Sequence, residues 1–159
     1  MSVSNPNKAF AQGIIGNVVN KATGTLANGT TNLFTIAGGR ILILGLLGRV
    51  TTAVGATTSN AKLVYNPTAA GTSFDLCTAV DIASDAVEQT YYIAGNVGTP
   101  GALIVAGTVG QGNPVFATGG YSLQSGVIEQ NLSADPVGGA ITWSAFWVPI
   151  DDGATLVAA

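Results

Sequence analysis

The chain's one grouping of ionisable side chains is Asp75, Asp81, Asp85 and Glu88. Carboxylates at such spacing could hold a divalent cation, and calcium takes oxygens converging at about 2.3–2.6 Å. The spacing matches no EF-hand loop, and residues 81–85 read as a solvated loop because Asp and Ser favour turns over ladders. A second acidic pair, Asp151-Asp152, is adjacent in sequence, so in extended chain the two side chains face opposite ways. Such a pair lacks the facing separation that paired acid/base work requires. The chain has no histidine, which removes Ser-His-Asp and Cys-His nucleophile systems and every histidine metal site. Its single cysteine, Cys77, cannot build a thiolate zinc site, and between Leu76 and Thr78 it reads as a buried structural thiol. Gly107-Thr108-Val109-Gly110-Gln111-Gly112 has the glycines of a phosphate loop, but no Lys-Ser or Lys-Thr and no helix pattern follows, so it reads as a turn. Asn28-Gly29-Thr30 and Asn131-Leu132-Ser133 fit the glycosylation sequon by chance, since no secretion leader precedes them. The expectation is a protein without catalytic residues, metal or cofactor.

Composition points to association instead. Hydrophobic residues make up 47 % of the 159 residues and charged residues only 8 %, against about 25 % charged in ordinary soluble domains. There is enough apolar material for one core, and disorder does not account for the low charge, because disordered chains combine low hydrophobicity with high net charge. A surface so poor in charge favours association, so partners or symmetry mates are expected to cover much of it. The net charge is −3, and the five basic residues Lys8, Lys21, Arg40, Arg49 and Lys62 are scattered, so no nucleic-acid partner is expected. No membrane partner is expected either. The most apolar run, Ile41 to Leu47, is too short to span a bilayer and reads as a buried strand. With no signal peptide and no possible internal disulfide, an intracellular assembly route is expected.

The elements that must carry these residues read as strands. Residues 1–31 form an expected N-terminal arm, extended or partly helical. Its apolar Phe10, Ile14, Ile15, Val18 and Val19 have helical spacing, but Gly13 and Gly16 weaken a helix by about 1 kcal/mol each. Phe10, Ile14, Ile15 and Val18 are the expected interface residues, reaching onto a neighbouring chain. The β domain is expected over 32–159, with strands at 33–37, 40–54, 61–65, 74–80, 90–94, 103–106, 114–117, 126–132 and 140–149, and a terminal tail or edge strand at 154–159. Within 40–54, Gly45 and Gly48 suggest a bulge or a close backbone approach. In 140–149, Ile141, Trp143, Ala145 and Trp147 share one face, and Thr142, Ser144, Phe146 and Val148 the other. Both faces carry bulky residues, so cover on both is expected. Core packing is the favoured reading of the two tryptophans, ahead of an interface or a carbohydrate platform. Short strands with Gly, Pro and Asn punctuation indicate an all-β antiparallel β-sandwich or β-barrel, jelly-roll-like, with an extended N-terminal arm.

Two stretches carry a resemblance. Asn32-Leu33-Phe34-Thr35-Ile36-Ala37-Gly38-Gly39 leads into residues 44–54, Leu-Gly-Leu-Leu-Gly-Arg-Val-Thr-Thr-Ala-Val, and the chain closes on residues 140–150, Ala-Ile-Thr-Trp-Ser-Ala-Phe-Trp-Val-Pro-Ile, then Gly153-Ala154. Over residues 32–159 the chain resembles small virion proteins of tailed bacteriophages, a group that includes capsid decoration proteins. The resemblance implies a β domain on the outside of a phage head, often a homotrimer at three-fold positions, that binds the major capsid protein and cements capsomers. It implies a virion location after assembly in the host cytoplasm, and no catalytic residues. Other readings are a tail or head-fibre component for host attachment, a jelly-roll major capsid protein, and a lectin-like cellular module. An enzyme is the least supported.

Overall fold

The computed structural model describes residues 16–93, 101–106 and 120–159. The described chain forms thirteen strands and no helix. They are β1 (Asn17–Ala22), β2 (Gly29–Ala37), β3 (Ile41–Thr52), β4 (Asn60–Pro67), β5 (Phe74–Asp75), β6 (Cys77–Thr78) and β7 (Val80–Asp81). After these come β8 (Thr90–Ile93), β9 (Gly101–Ala106), β10 (Tyr121–Leu123), β11 (Gly126–Leu132), β12 (Ala140–Pro149) and β13 (Thr155–Ala158). The first sheet runs β1-β12-β3-β8-β9-β6, with β10 also on β3. The second runs β13-β2-β11-β4-β5, with β7 also on β4. The pairing is antiparallel except between β6 and β9. The two layers pack face to face as a β-sandwich, the first of the two architectures expected.

The core forms where the alternating pattern sends its apolar set. In β12, Ile141, Trp143 and Ala145 are fully buried and Trp147 nearly so, while Thr142, Ser144, Phe146 and Val148 lie half-buried on the outer face. Facing them from the second sheet are Leu33, Phe34, Ile36, Leu63 and Ile128, all buried. Burying side chains of this size contributes about 1.5–3 kcal/mol each.

One cross-strand row organises the first sheet. Trp143 on β12 is opposite Gly48 on β3, and Gly48 is opposite Tyr91 on β8. A Cβ at Gly48 would lie 2.9 Å from two atoms of the Trp143 six-membered ring. The missing side chain lets the two flanking rings meet over the central strand, with centroids 6.3 Å apart and planes 28° apart. The Trp143 indole N–H then donates across the sandwich to Gln130 Oε1 on β11 at 2.6 Å, tying the two layers together. The Tyr91 hydroxyl donates to Asp85 Oδ2 at 2.6 Å, which pins the loop before β8. The Gln130 amide nitrogen is buried without a partner, a cost of about 1–3 kcal/mol against that bond.

The bulge and the close approach expected at the two glycines both occur. The β12–β3 register shifts between Phe146, opposite Gly45, and Trp147, opposite Ile43, leaving Leu44 as the extra residue. The expected single strand over 74–80 is instead three two-residue strands. Leu76 N–H donates to the Leu63 carbonyl on β4 while Cys77 passes to the first sheet beside β9, so the chain crosses between layers there.

The expected arm ends earlier than the sequence suggests. Residues 17–22 form β1, paired to β12 from Asn17 opposite Trp147 to Ala22 opposite Thr142, and β2 begins at Gly29. Neither an extended arm nor a helix therefore describes these positions: the open edge of β12 supplies a ladder that overrides the weak local preference. Residues 1–15, the expected strand at 114–117 and the glycine loop at 107–112 lie outside the described residues.

Gly48→Ala is expected to destabilise the domain by about 1–3 kcal/mol, the usual cost of overpacking a filled core. Urea unfolding followed by tryptophan fluorescence measures it, and an unchanged midpoint contradicts the row described.

Candidate interaction surface

The ionisable side chains come first, because a reactive or ion-binding site would be built from them. Asp75 on β5 is held by Lys62 Nζ on β4 at 2.9 Å to both carboxylate oxygens. Glu88 meets Arg49 at 2.6 Å. Asp81 Oδ1 accepts from the backbone N–H groups of Ser59 and Ala83, and Asp85 accepts from Tyr91. The four carboxylates grouped in the sequence are thus dispersed onto separate partners, and among the described residues no three metal-ligating side chains converge. Asp135 Oδ1 accepts from the Val137 N–H, and Lys21 Nζ donates to the Ala159 carbonyl oxygen. Each of the four basic side chains described is engaged with an acceptor of the chain itself.

The most elaborate of these contacts closes one end of the sandwich. Arg40, at the β2–β3 turn, donates to Asp151 from its backbone N–H at 2.7 Å and from Nε and Nη2 at 2.9 and 2.7 Å. In return the Arg40 carbonyl accepts from the Ile150 and Asp151 N–H groups. Hydrogen bonds from Arg40 hold the Asp151 carboxyl at about 2, well below its ordinary 3.8. A cleft of about 570 Å³ opens beside this pair, lined by Gly39, Thr68, Ala69, Gln124 and Ser125 with the pair itself. It has no nucleophile with a base beside it.

At the opposite end, Asp85 is shifted the other way. Burial raises its carboxyl, with Asp81 adding to the rise and the Tyr91 hydrogen bond opposing it. The loops here include all three described non-glycine residues with positive φ, Ser84, Glu88 and Val137. Val137 is 74 % exposed at φ 61°, a strained setting for a β-branched residue.

What remains outside is largely uncharged, with apolar side chains standing among Thr and Asn. Val18, Val87, Ile150 and Val157 are exposed, with Val18 and Val157 on the sheet-edge strands β1 and β13. Edge strands carry unpaired backbone groups and are natural association sites. The outer face of the first sheet carries Leu42, Leu44, Leu47, Tyr92 and Val148, all half-buried. Of the four expected interface residues, Val18 is 51 % exposed on the edge strand β1, while Phe10, Ile14 and Ile15 lie outside the described residues. Sequence reasoning missed Val137, although Asp135-Pro136 before it and Gly138-Gly139 after it mark a tight turn that must present it.

No family model matches the chain, and neither a curated protein nor a solved structure matches it.

Two solution measurements check these environments. Asp151 has its folded value depressed, so its contribution to stability is present above 3.8 and lost as pH falls toward about 2. The stability difference between the wild type and Asp151→Asn, read from melting temperatures, is expected to shrink over that window. Asp85 has its folded value raised, so it contributes the opposite sign, and Asp85→Asn should remove a loss of stability that develops as pH rises through the raised value. The buried Cys77 thiol is pushed up to about 11, chiefly by burial. It is expected to react with a thiol reagent at neutral pH only after unfolding, and rapid labelling of the native protein would contradict that environment.

Proposed function

We propose that the chain is a non-enzymatic structural component of a virus particle, a capsid decoration protein that binds the outside of a tailed-phage head. In this reading it acts as a homotrimer, contacts the major capsid protein, and strengthens the shell by burying surface between capsomers. One observation carries the proposal: the described basic side chains are each engaged within the chain, three of them in ion pairs, while apolar residues stand on the edges, loops and one sheet face. A charge-poor surface of this kind suits permanent association, and specific interfaces bury about 1,200–2,000 Å². Identical copies repeated over a closed shell gain further through multivalency. The resemblance of residues 32–159 to phage virion proteins supplies the particular assembly.

Quantitative mass spectrometry of purified particles, with a low-resolution reconstruction, tests this. Many copies spread over the shell are expected. A few copies on the tail or at one vertex would favour host attachment instead, and absence from particles would overturn the structural role.

A further inference from the structure

The connection from β1 to β2 ends on Asn28-Gly29, the one Asn-Gly step in the sequence. Asn28 is exposed. Among the described residues it is the one asparagine outside a strand: Asn17 and Asn20 lie in β1, Asn32 in β2, Asn60 and Asn66 in β4, and Asn131 in β11. No described residue hydrogen-bonds the Asn28 side chain. By contrast, the Ser144 hydroxyl donates to Asn20 Oδ1, Asn66 Nδ2 donates to Glu129 Oε1, and Asn131 Nδ2 donates to Thr30 Oγ1.

The residue that follows Asn28 is equally unhindered. Gly29 has φ +104°, and a Cβ there would meet nothing within 4 Å. It opens β2 opposite Leu132, the last residue of β11, so the ladder ends on it, and ladder ends fray. With no side chain on Gly29, its backbone turns freely and nothing crowds its nitrogen. An unheld carboxamide thus stands one bond sequence away from an accessible backbone amide, and attack within one chain needs no encounter step.

We propose that Asn28 is a site of spontaneous covalent modification, deamidation through a succinimide with water as co-reactant. Solvent hydroxide removes the Gly29 amide proton, and the Gly29 nitrogen bonds to Asn28 Cγ. The Cγ–Nδ2 bond breaks and the amide nitrogen leaves as ammonia, closing a five-membered ring. Water then opens the ring. Breaking the bond from the Gly29 nitrogen to Cγ gives aspartate with the original main chain. Breaking the bond to the Asn28 main-chain carbonyl carbon gives isoaspartate, with the main chain rerouted through the side chain. Either product adds a negative charge to a chain whose net charge is −3. The change falls near the exposed Val137 loop, because the Leu26 N–H donates to the Gly139 carbonyl. The proposal stands whether or not the protein is a virion component.

The test is incubation of the full chain for several weeks in mildly alkaline buffer at physiological temperature, beside its isolated tryptic peptide of residues 22–40. Chains that keep native tryptophan fluorescence are then digested and mapped by mass spectrometry. The expected result is two new, chromatographically separate forms of that peptide in most chains. Both are heavier by the exchange of an amide for an acid, with fragment ions placing the gain on Asn28 and leaving Asn32 unchanged. In Asn28→Gln the gain is expected to disappear, since ring closure then needs a larger ring. A folded chain that stays unmodified overturns the proposal, whether or not the free peptide changes. So does a gain on another asparagine in place of Asn28, or one that persists in Asn28→Gln.

Discussion

A single missing side chain at Gly48 sets how the first sheet is built. Trp143 and Tyr91 stand on strands either side of β3, and only a glycine between them lets the indole and phenol rings meet. That placement aims the indole N–H at Gln130 in the opposite sheet and the phenol hydroxyl at Asp85 in the loop before β8. Stacking, layer registration and loop position therefore follow from one row of three residues. An aromatic pair of this kind adds about 0.5–1.5 kcal/mol beyond its buried area. The larger effect is positional, because a shift of one residue in β12 would send Trp143 to the outer face.

The same economy governs the surface. Three ion pairs, Arg40–Asp151, Arg49–Glu88 and Lys62–Asp75, join residues far apart in sequence. Exposed pairs contribute little stability individually. They neutralise three of the chain's five basic residues within the chain, and with charged residues only 8 % of the sequence the outside carries few charges. The chain has no histidine and Cys77 is buried.

The strands that carry the core were legible because alternation and core burial coincide in them. The inward set of β12, Ile141, Trp143, Ala145 and Trp147, follows from period-two spacing alone, and β11 begins and ends where its Gly126 and the turn at Ser133 place it. The architecture was legible only as sandwich or barrel, since closure depends on edge pairing that strand patterns do not encode. β1 was hidden because Val18 and Val19 continue a helical spacing from Phe10 and Ile14, while Asn17, Asn20 and Lys21 have little strand preference. Its formation depends on β12, which lies more than a hundred residues later. β10 was hidden by its three-residue length. The acidic grouping failed as a site for a related reason. Closeness in sequence across strands that alternate and change layer separates side chains more often than it gathers them, so Asp75 and Glu88 each find a base on another strand.

The central claim is that a surface poor in charge drives association through apolar contact. Sedimentation velocity of the purified protein across a concentration series, at low and at molar salt, tests this most directly. The account predicts concentration-dependent self-association to a defined oligomer that high salt leaves intact or strengthens, because screening removes only electrostatic attraction. A monomer at every concentration, or an oligomer that molar salt dissociates, would contradict it.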